Sequence, residues 1–334
     1  MTDIAEGRLS IAKGHRYAQL AAQKCDDPAT QALAALGSNG KHLQNLERDF
    51  HSSVMRGEGG VRLQPMHMHI TVQAHLADGP KLVQQPFFAP HEILHMWYCR
   101  NQPKFHEKVI GPTGLQGLKD YWTAALRQPW GRAHPVATLP EHMLSFCVPI
   151  LWHCDGAEFS NSSEAAIYSC ASAMTSVCSW DCSMLFTFQV TDAMLPCTDG
   201  EIVAVANWCG EVLLSGVFPA ADHTGAVWAE GSWRASVAGQ SFAGPFLFPF
   251  AGVKGDMKNR RETHKFSRHY GCNFMCDFCG AAKHIPLLRW TDFSDSALWR
   301  RTLTDHATYV NSTDAENLSP WVKHPGHITS TTQC

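Results

Sequence analysis

No apolar run in this 334-residue chain approaches the ~18 residues of a membrane span, so a soluble, intracellular protein is expected. The opening MTDIAEGRLSIAKGHR has no apolar leader region, so no secretory signal is expected either. Without that signal, thirteen cysteines (an odd number) read as thiols and metal ligands rather than as a disulfide framework, and the sequons at Asn161 and Asn311 read as chance. A formal net charge of −3 excludes a polycation, so any affinity for nucleic acid must come from local patches. The chain has no P-loop, no dinucleotide glycine fingerprint and no GxSxG elbow. Support is thereby withdrawn from P-loop nucleotide hydrolysis, dinucleotide redox chemistry and α/β-hydrolase chemistry. There is no internal repeat and no low-complexity tract.

What is present changes character along the chain. Residues 1–60 are polar, with an alanine-rich helical stretch from Tyr17 to Leu36, and read as a partly helical or disordered segment. Glycines near 37 and 57–60 suggest loops. Met66, Met68, Ile70 and Val72 alternate with His67, His69 and Thr71, the pattern of a half-buried strand. From Pro86 to Trp130 the spacing is helical, and residues 61–140 are expected to form a small, mainly helical domain. The run from Met143 to Trp152 suits a buried strand that delivers His153, Cys154 and Asp155 at its end, with Pro149 as a discordant residue. Ala165–Thr175, Met184–Val190 and Phe246–Val253 are further strand candidates. Glu201–Val217 has the periodicity of a helix.

The richest segment runs from Lys254 to Cys279, KGDMKNRRETHKFSRHYGCNFMCDFC. Asp155 and Asp256 each follow an apolar run. Carboxylates at neighbouring strand ends can hold Mg²⁺ ions ~3.5–4 Å apart for phosphodiester chemistry, although a turn at Asp155-Gly156 and a helix cap at Asp256 would explain each residue singly. The Cys276/Cys279 pair puts two thiolates on one tetrahedral Zn²⁺, with Cys272, His269 or a nearby His such as His264 or His284 to complete a closed, structural site. Lys254, Lys258, Arg260, Arg261, Lys265 and Arg268 could hold a phosphate backbone, or form a solvated helix face. His91-Glu92-Ile93-Leu94-His95 satisfies HExxH, but Pro90 suits a helix start and no metzincin extension follows His95.

In order and motif, HCDGAEF with Asp155, VKGDMKNRRE with Asp256 and HYGCNFMCDFC with His269, Cys276 and Cys279 resemble the core of eukaryotic cut-and-paste DDE/D transposases, especially the plant CACTA (En/Spm) type. The resemblance covers roughly residues 140–290. It implies an RNase H-like α/β core over 141–334, a mixed sheet with flanking helices and a zinc-binding CxxC insertion near 264–284. It further implies DNA as partner and DNA strand cleavage and transfer with two Mg²⁺ or Mn²⁺ ions. Catalytic carboxylates at Asp155 and Asp256 and structural zinc at His269, Cys272, Cys276 and Cys279 follow from it. The family's third carboxylate has no motif here; Asp305, Asp314 and Glu316 are the late candidates. The expectation is therefore a transposase-derived DNA-binding protein, nuclear or cytoplasmic, whose core is incomplete and whose catalytic competence is open. Homo-oligomerisation is compatible with it. The alternatives are a non-catalytic, zinc-stabilised interaction module and, less favoured, an HExxH zinc metallopeptidase.

Overall fold

A computed structural model describes residues 10–24, 28–37, 41–42, 45, 64–73, 79–160, 163–175, 183–255, 267–268, 271–304 and 306–312. The chain divides into two compact units, Met1–Gln64 and Pro65–Cys334. In the first, helix α1 (Ile11–Ala21) packs with α2 (Pro28–Ala34). The Ser10 hydroxyl caps α1 by accepting from the Lys13 amide, as a preferred N-cap residue does. His15 is buried and its Nε2 meets the Ala34 carbonyl at 3.2 Å, beside buried Ala18, Leu33 and Leu36.

The second unit opens with an antiparallel hairpin, β1 (Met66–Gln73) and β2 (Pro80–Phe87), in which Met66 faces Phe87 and Gln73 faces Pro80. The expected alternation holds on β1: Met66, Met68, Ile70 and Val72 are buried, while His67 and His69 are exposed. Sequence spacing had no signal for β2. Its two prolines are tolerated because neither interrupts a central ladder: Pro80 starts the strand and Pro86 lies at its far end. Helix α3 (Pro90–Arg100) and, after one α-helical turn (Gln102–Phe105) that runs into a π-helical turn (His106–Ile110), α4 (Gly114–Ala125) follow.

The main sheet has four strands in the order β5-β4-β3-β6. Strands β3 (Ile150–Ser160), β4 (Ser163–Ser172) and β5 (Met184–Val190) form an antiparallel meander. Helix α5 (Thr198–Ser215) then carries the chain away. After an excursion that includes the short helix α6 (Trp233–Val237), strand β6 (Phe250–Lys254) returns parallel to β3. A parallel neighbour requires a crossover of this kind, and a helix usually supplies it. The result is a mixed α/β unit built on a mixed sheet.

Two strand boundaries differ from the sequence reading. Residues Glu141–Phe146 form a 3₁₀ turn, and β3 starts only at Ile150. Pro149 has no N–H to offer a ladder, so regular pairing begins after it. Pro249 acts likewise on the facing side: the isolated Cys147–Leu247 bridge is separated from the β3–β6 ladder by both prolines. At its other end β3 pairs with β4 as far as Ser160, so Asp155 lies within β3 and not at its end.

One face of the sheet is packed. Trp152, Cys154, Tyr168, Cys170, Met184 and Phe186 are buried there, with Trp152 and Phe186 ring centroids 5.2 Å apart. Helix α5 belongs to this side, since the Tyr168 hydroxyl donates to Asp199 in its first turn. Ile202, Val205, Cys209, Val212 and Leu213 give α5 its buried stripe. Gly216, at φ 71°, ends the helix in the left-handed conformation that glycine adopts without strain. No helix among the described residues is long and apolar enough to cross a membrane.

Candidate functional site

Alternation along β3 fixes where Asp155 points. Trp152 and Cys154 face the packed side, so His153 and Asp155 face the other. Residues directly opposed in a ladder share a face, which puts Asp155, Ile167 and Phe188 in one row across the sheet and His153, Ser169 and Leu185 in the next. This open face is apolar: Ala157, Ala165, Ile167, Leu185, Phe188 and Val190 line a concavity of about 580 Å³. Asp155 stands beside it with its side chain about half exposed (53%). Its Oδ1 accepts from the Gly156 amide at 2.9 Å, and its Oδ2 is 4.0 Å from His153 Nε2. The turn expected as the alternative at Asp155-Gly156 does not form, because both residues lie within β3 and pair with Ile167 and Ala166.

On the other side of β3, His153 pairs in parallel with the exposed Lys254. In sequence Asp256 is two residues beyond Lys254, as Asp155 is two beyond His153. Asp256 itself lies outside the described residues. So do Lys258, Arg260, Arg261, Lys265, His264 and His269, and also Asp305, Asp314 and Glu316. The sequence placed His153 beside Asp155; the strand's period adds that the two share a face, with Cys154 on the other.

The second region is the cysteine hairpin. Phe274 and Ala282 form an antiparallel bridge, the Met275 amide donates to the Ala281 carbonyl at 3.0 Å, and Lys283 N donates to Asn273 O at 2.9 Å. The turn that closes this hairpin is Cys276-Asp277-Phe278-Cys279-Gly280. Within it the Phe278 amide donates to Cys276 Sγ at 3.4 Å, and the Ala281 amide donates to Cys279 Sγ. The two thiols also share a hydrogen bond, which together with burial pushes the Cys279 thiol far above the ordinary range. A pair of sulfurs in contact, each receiving a backbone N–H, suits two thiolates on one soft cation, which would relieve that proton sharing. Cys272 is half-buried nearby in sequence, and His284 is exposed. Among the described residues no group of three or more His, Cys, Asp and Glu side chains converges on a metal position.

Arg268, a candidate phosphate contact, is partly buried at this hairpin. Its Nη1 donates to the carbonyls of Cys276 (2.9 Å) and Cys279 (3.1 Å), and its guanidinium lies 5.1 Å from the Phe274 ring centroid. The backbone amides of Ser267 and Arg268 donate to the carboxylate of Asp277, a residue that no motif singles out. Cys276, Phe278, Cys279, Ala281, Ala297, Trp299 and Tyr309 pack as a small core, with Tyr309 coming from helix α7 (His306–Ser312).

The HExxH residues lie on α3, which starts at Pro90 and runs unbroken through both histidines. Their surroundings divide them. His91 is fully buried among the rings of Trp208, Phe218 and Phe242, each 5.9 Å away by centroid, and its Nδ1 has no partner. His95 Nδ1 donates to the Phe242 carbonyl at 2.8 Å. The Glu92 carboxylate, where a peptidase would keep its base, is held by Arg234 at 2.6 and 3.1 Å. Arg234 was invisible in the sequence, being 142 positions away.

Comparison with protein-family models, with curated proteins and with solved structures returns no match.

Proposed function

We propose that this chain is a transposase-derived protein with an RNase H-like core that binds DNA and carries the remains, or the working parts, of a divalent-metal phosphodiester site at Asp155 and Asp256. One observation carries this reading: the sheet order β5-β4-β3-β6. An antiparallel meander is followed by a helical crossover and a fourth strand parallel to the first. Three strands, a helix and a fourth strand in chain order are what the motifs suggested. The sheet order sets the strand bearing Asp155 against the strand that leads into Asp256, with His153 and Lys254 as opposed residues.

Asp155 fits a hard divalent cation, being an exposed carboxylate on a strand with one internal hydrogen bond and an imidazole 4.0 Å away. A divalent ion bound there would supply Lewis acidity toward a phosphodiester. The protein's own contribution is position: β3 fixes the Asp155 carboxylate, while Lys254 adds a cation beside the path of a phosphate backbone. Cys276 and Cys279 would hold structural zinc together with Cys272 and His269.

Plasmid nicking in Mg²⁺ or Mn²⁺ tests the catalytic half. Activity lost in both Asp155→Ala and Asp256→Ala supports a working site. Activity that survives either substitution removes it. Zinc content is the second measurement: wild-type protein is expected to carry about one zinc per chain, and Cys276→Ser with Cys279→Ser is expected to lose it. The cysteine hairpin also supports a second reading, a zinc-stabilised interaction module without catalysis. DNA binding that persists without nicking would select it.

A further inference from the structure

We infer that the surface of the cysteine-rich subdomain, residues 271–304, is a stacking platform for unpaired bases of single-stranded DNA. Its interior is accounted for by the core around Cys276, Cys279, Phe278 and Trp299. Its exterior is not, for it exposes Trp290 and Phe293, the latter with 64% of its area in solvent, beside Phe274, whose ring carries the Arg268 guanidinium. An aromatic side chain contributes most to stability when buried, so two left outside three residues apart on one small subdomain point to a ligand with a flat apolar face.

The fold brings these rings onto a braced frame. Phe274 and Arg289 both bridge Ala282, one antiparallel and one parallel, so they flank the same residue. Trp290 follows directly, and its amide is tied to the Ala282 carbonyl at 3.1 Å. The loop beyond is closed from beneath: Trp299 Nε1 donates to Asp292 O at 2.7 Å, and Arg300 Nη2 donates to Phe293 O at 3.2 Å. Trp290 and Phe293 are thereby displayed from a pinned loop.

Charge selects the partner. Between residues 271 and 304 the cations are Lys283, Arg289, Arg300 and Arg301, against the carboxylates Asp277, Asp292 and Asp295, and Arg268 packs onto the subdomain from just before it. Asp277 is occupied by Ser267 and Arg268 amides, and Asp292 by the amide and hydroxyl of Ser294. Arg268 and Arg300 give their hydrogen bonds to backbone carbonyls. Within a chain of net charge −3, this is a local basic surplus interleaved with exposed rings. Base stacking on aromatics with cations tracking the backbone is how single strands are held without sequence readout, whereas duplex bases already stack on each other. The inference takes from the reading above only its partner, DNA, and needs no chemistry at Asp155.

The test is fluorescence anisotropy of full-length protein with a labelled 20-nucleotide oligo(dT) and with a 20-base-pair duplex, without added Mg²⁺. Trp290→Ala and Phe293→Ala are each expected to weaken oligo(dT) binding at least about fivefold, while duplex affinity changes little. Both side chains are exposed, so an unchanged melting temperature certifies the fold. Arg289→Gln with Arg301→Gln is expected to lower the salt dependence of log K by ~0.7 per charge removed. Unchanged affinity in the aromatic variants, equal loss on duplex, or no oligo(dT) binding by wild type at about 50 mM salt would overturn the platform. Loss of nicking in Asp155→Ala with oligo(dT) binding intact would keep the two proposals separate.

Discussion

His91 shows what a single side chain can cost a fold. Complete burial, with the Arg234 guanidinium close by, lowers its pKa from 6.5 to about 3. A depressed folded pKa means that below pH 6.5 the unfolded chain takes up a proton that the native state refuses, so stability falls with pH until about 3. His91→Phe would keep an aromatic ring among Trp208, Phe218 and Phe242 and remove that proton. Urea denaturation from pH 7 to 4 should show a shallower loss of stability in the variant; parallel curves would discard the assignment. Glu92 works in the opposite sense. Burial raises its pKa and Arg234 partly restores it. Arg234→Met leaves a buried carboxylate without its partner, at a cost of ~3 kcal/mol near neutral pH. The sign follows from the raised pKa: above about 4.5 the unfolded state ionises first, so the variant should lose further stability as pH rises. A deficit relative to wild type that stays constant as pH rises would mean that Glu92 ionises freely without Arg234.

Between elements, the fastening of the hairpin to α5 depends on two residues in the first turn of that helix. The Glu201 carboxylate accepts from the amide (2.5 Å) and hydroxyl (2.8 Å) of Thr71 on β1. Thr198, fully buried, donates its hydroxyl to the Thr71 carbonyl and accepts from the Leu195 amide. Thr198→Val removes both bonds and leaves a partly buried carbonyl and amide without this hydroxyl, so a loss of ~1 kcal/mol is expected in chemical denaturation. An unchanged midpoint would mean that water replaces the hydroxyl. This joint marks where sequence reading reached its limit. The period of two in Met66–Val72 and the period of a helix in Glu201–Val217 were legible because burial writes them locally. The contacts of Thr71 with Thr198 and Glu201 span 127 and 130 positions and leave no local trace. The same holds for the site. The CxxC spacing marked a thiol pair but not the hairpin that carries it; the apolar run announced β3, but pairing with β4 carries that strand on to Ser160, so Asp155 is surrounded by strand on both sides. β2 went unseen because its prolines argued locally for something else, while the edge position that tolerates them is a property of the sheet.

For the whole molecule, the division at Gln64/Pro65 separates two units of unequal means. The first buries Ala18, Leu33 and Leu36 around His15 through two helices of 11 and 7 residues. Isolated helices of that length are marginal in water, so its own cohesion is small. The second holds the sheet, α5, the Glu92–Arg234 pair and the cysteine hairpin, and the bulk of the large fully buried side chains, including Trp122, Trp152, Phe186 and Phe248. Cooperative stability follows the larger core. A fragment beginning at Pro65 should therefore keep the main thermal transition of the full chain within about 2 °C, a difference of roughly 0.5–1 kcal/mol for a unit of this size. Differential scanning calorimetry of the two proteins reads it directly. A fall several times larger would mean that residues 1–64 are part of the cooperative unit, and both the nicking and the oligo(dT) measurements would then have to be interpreted on the full chain alone.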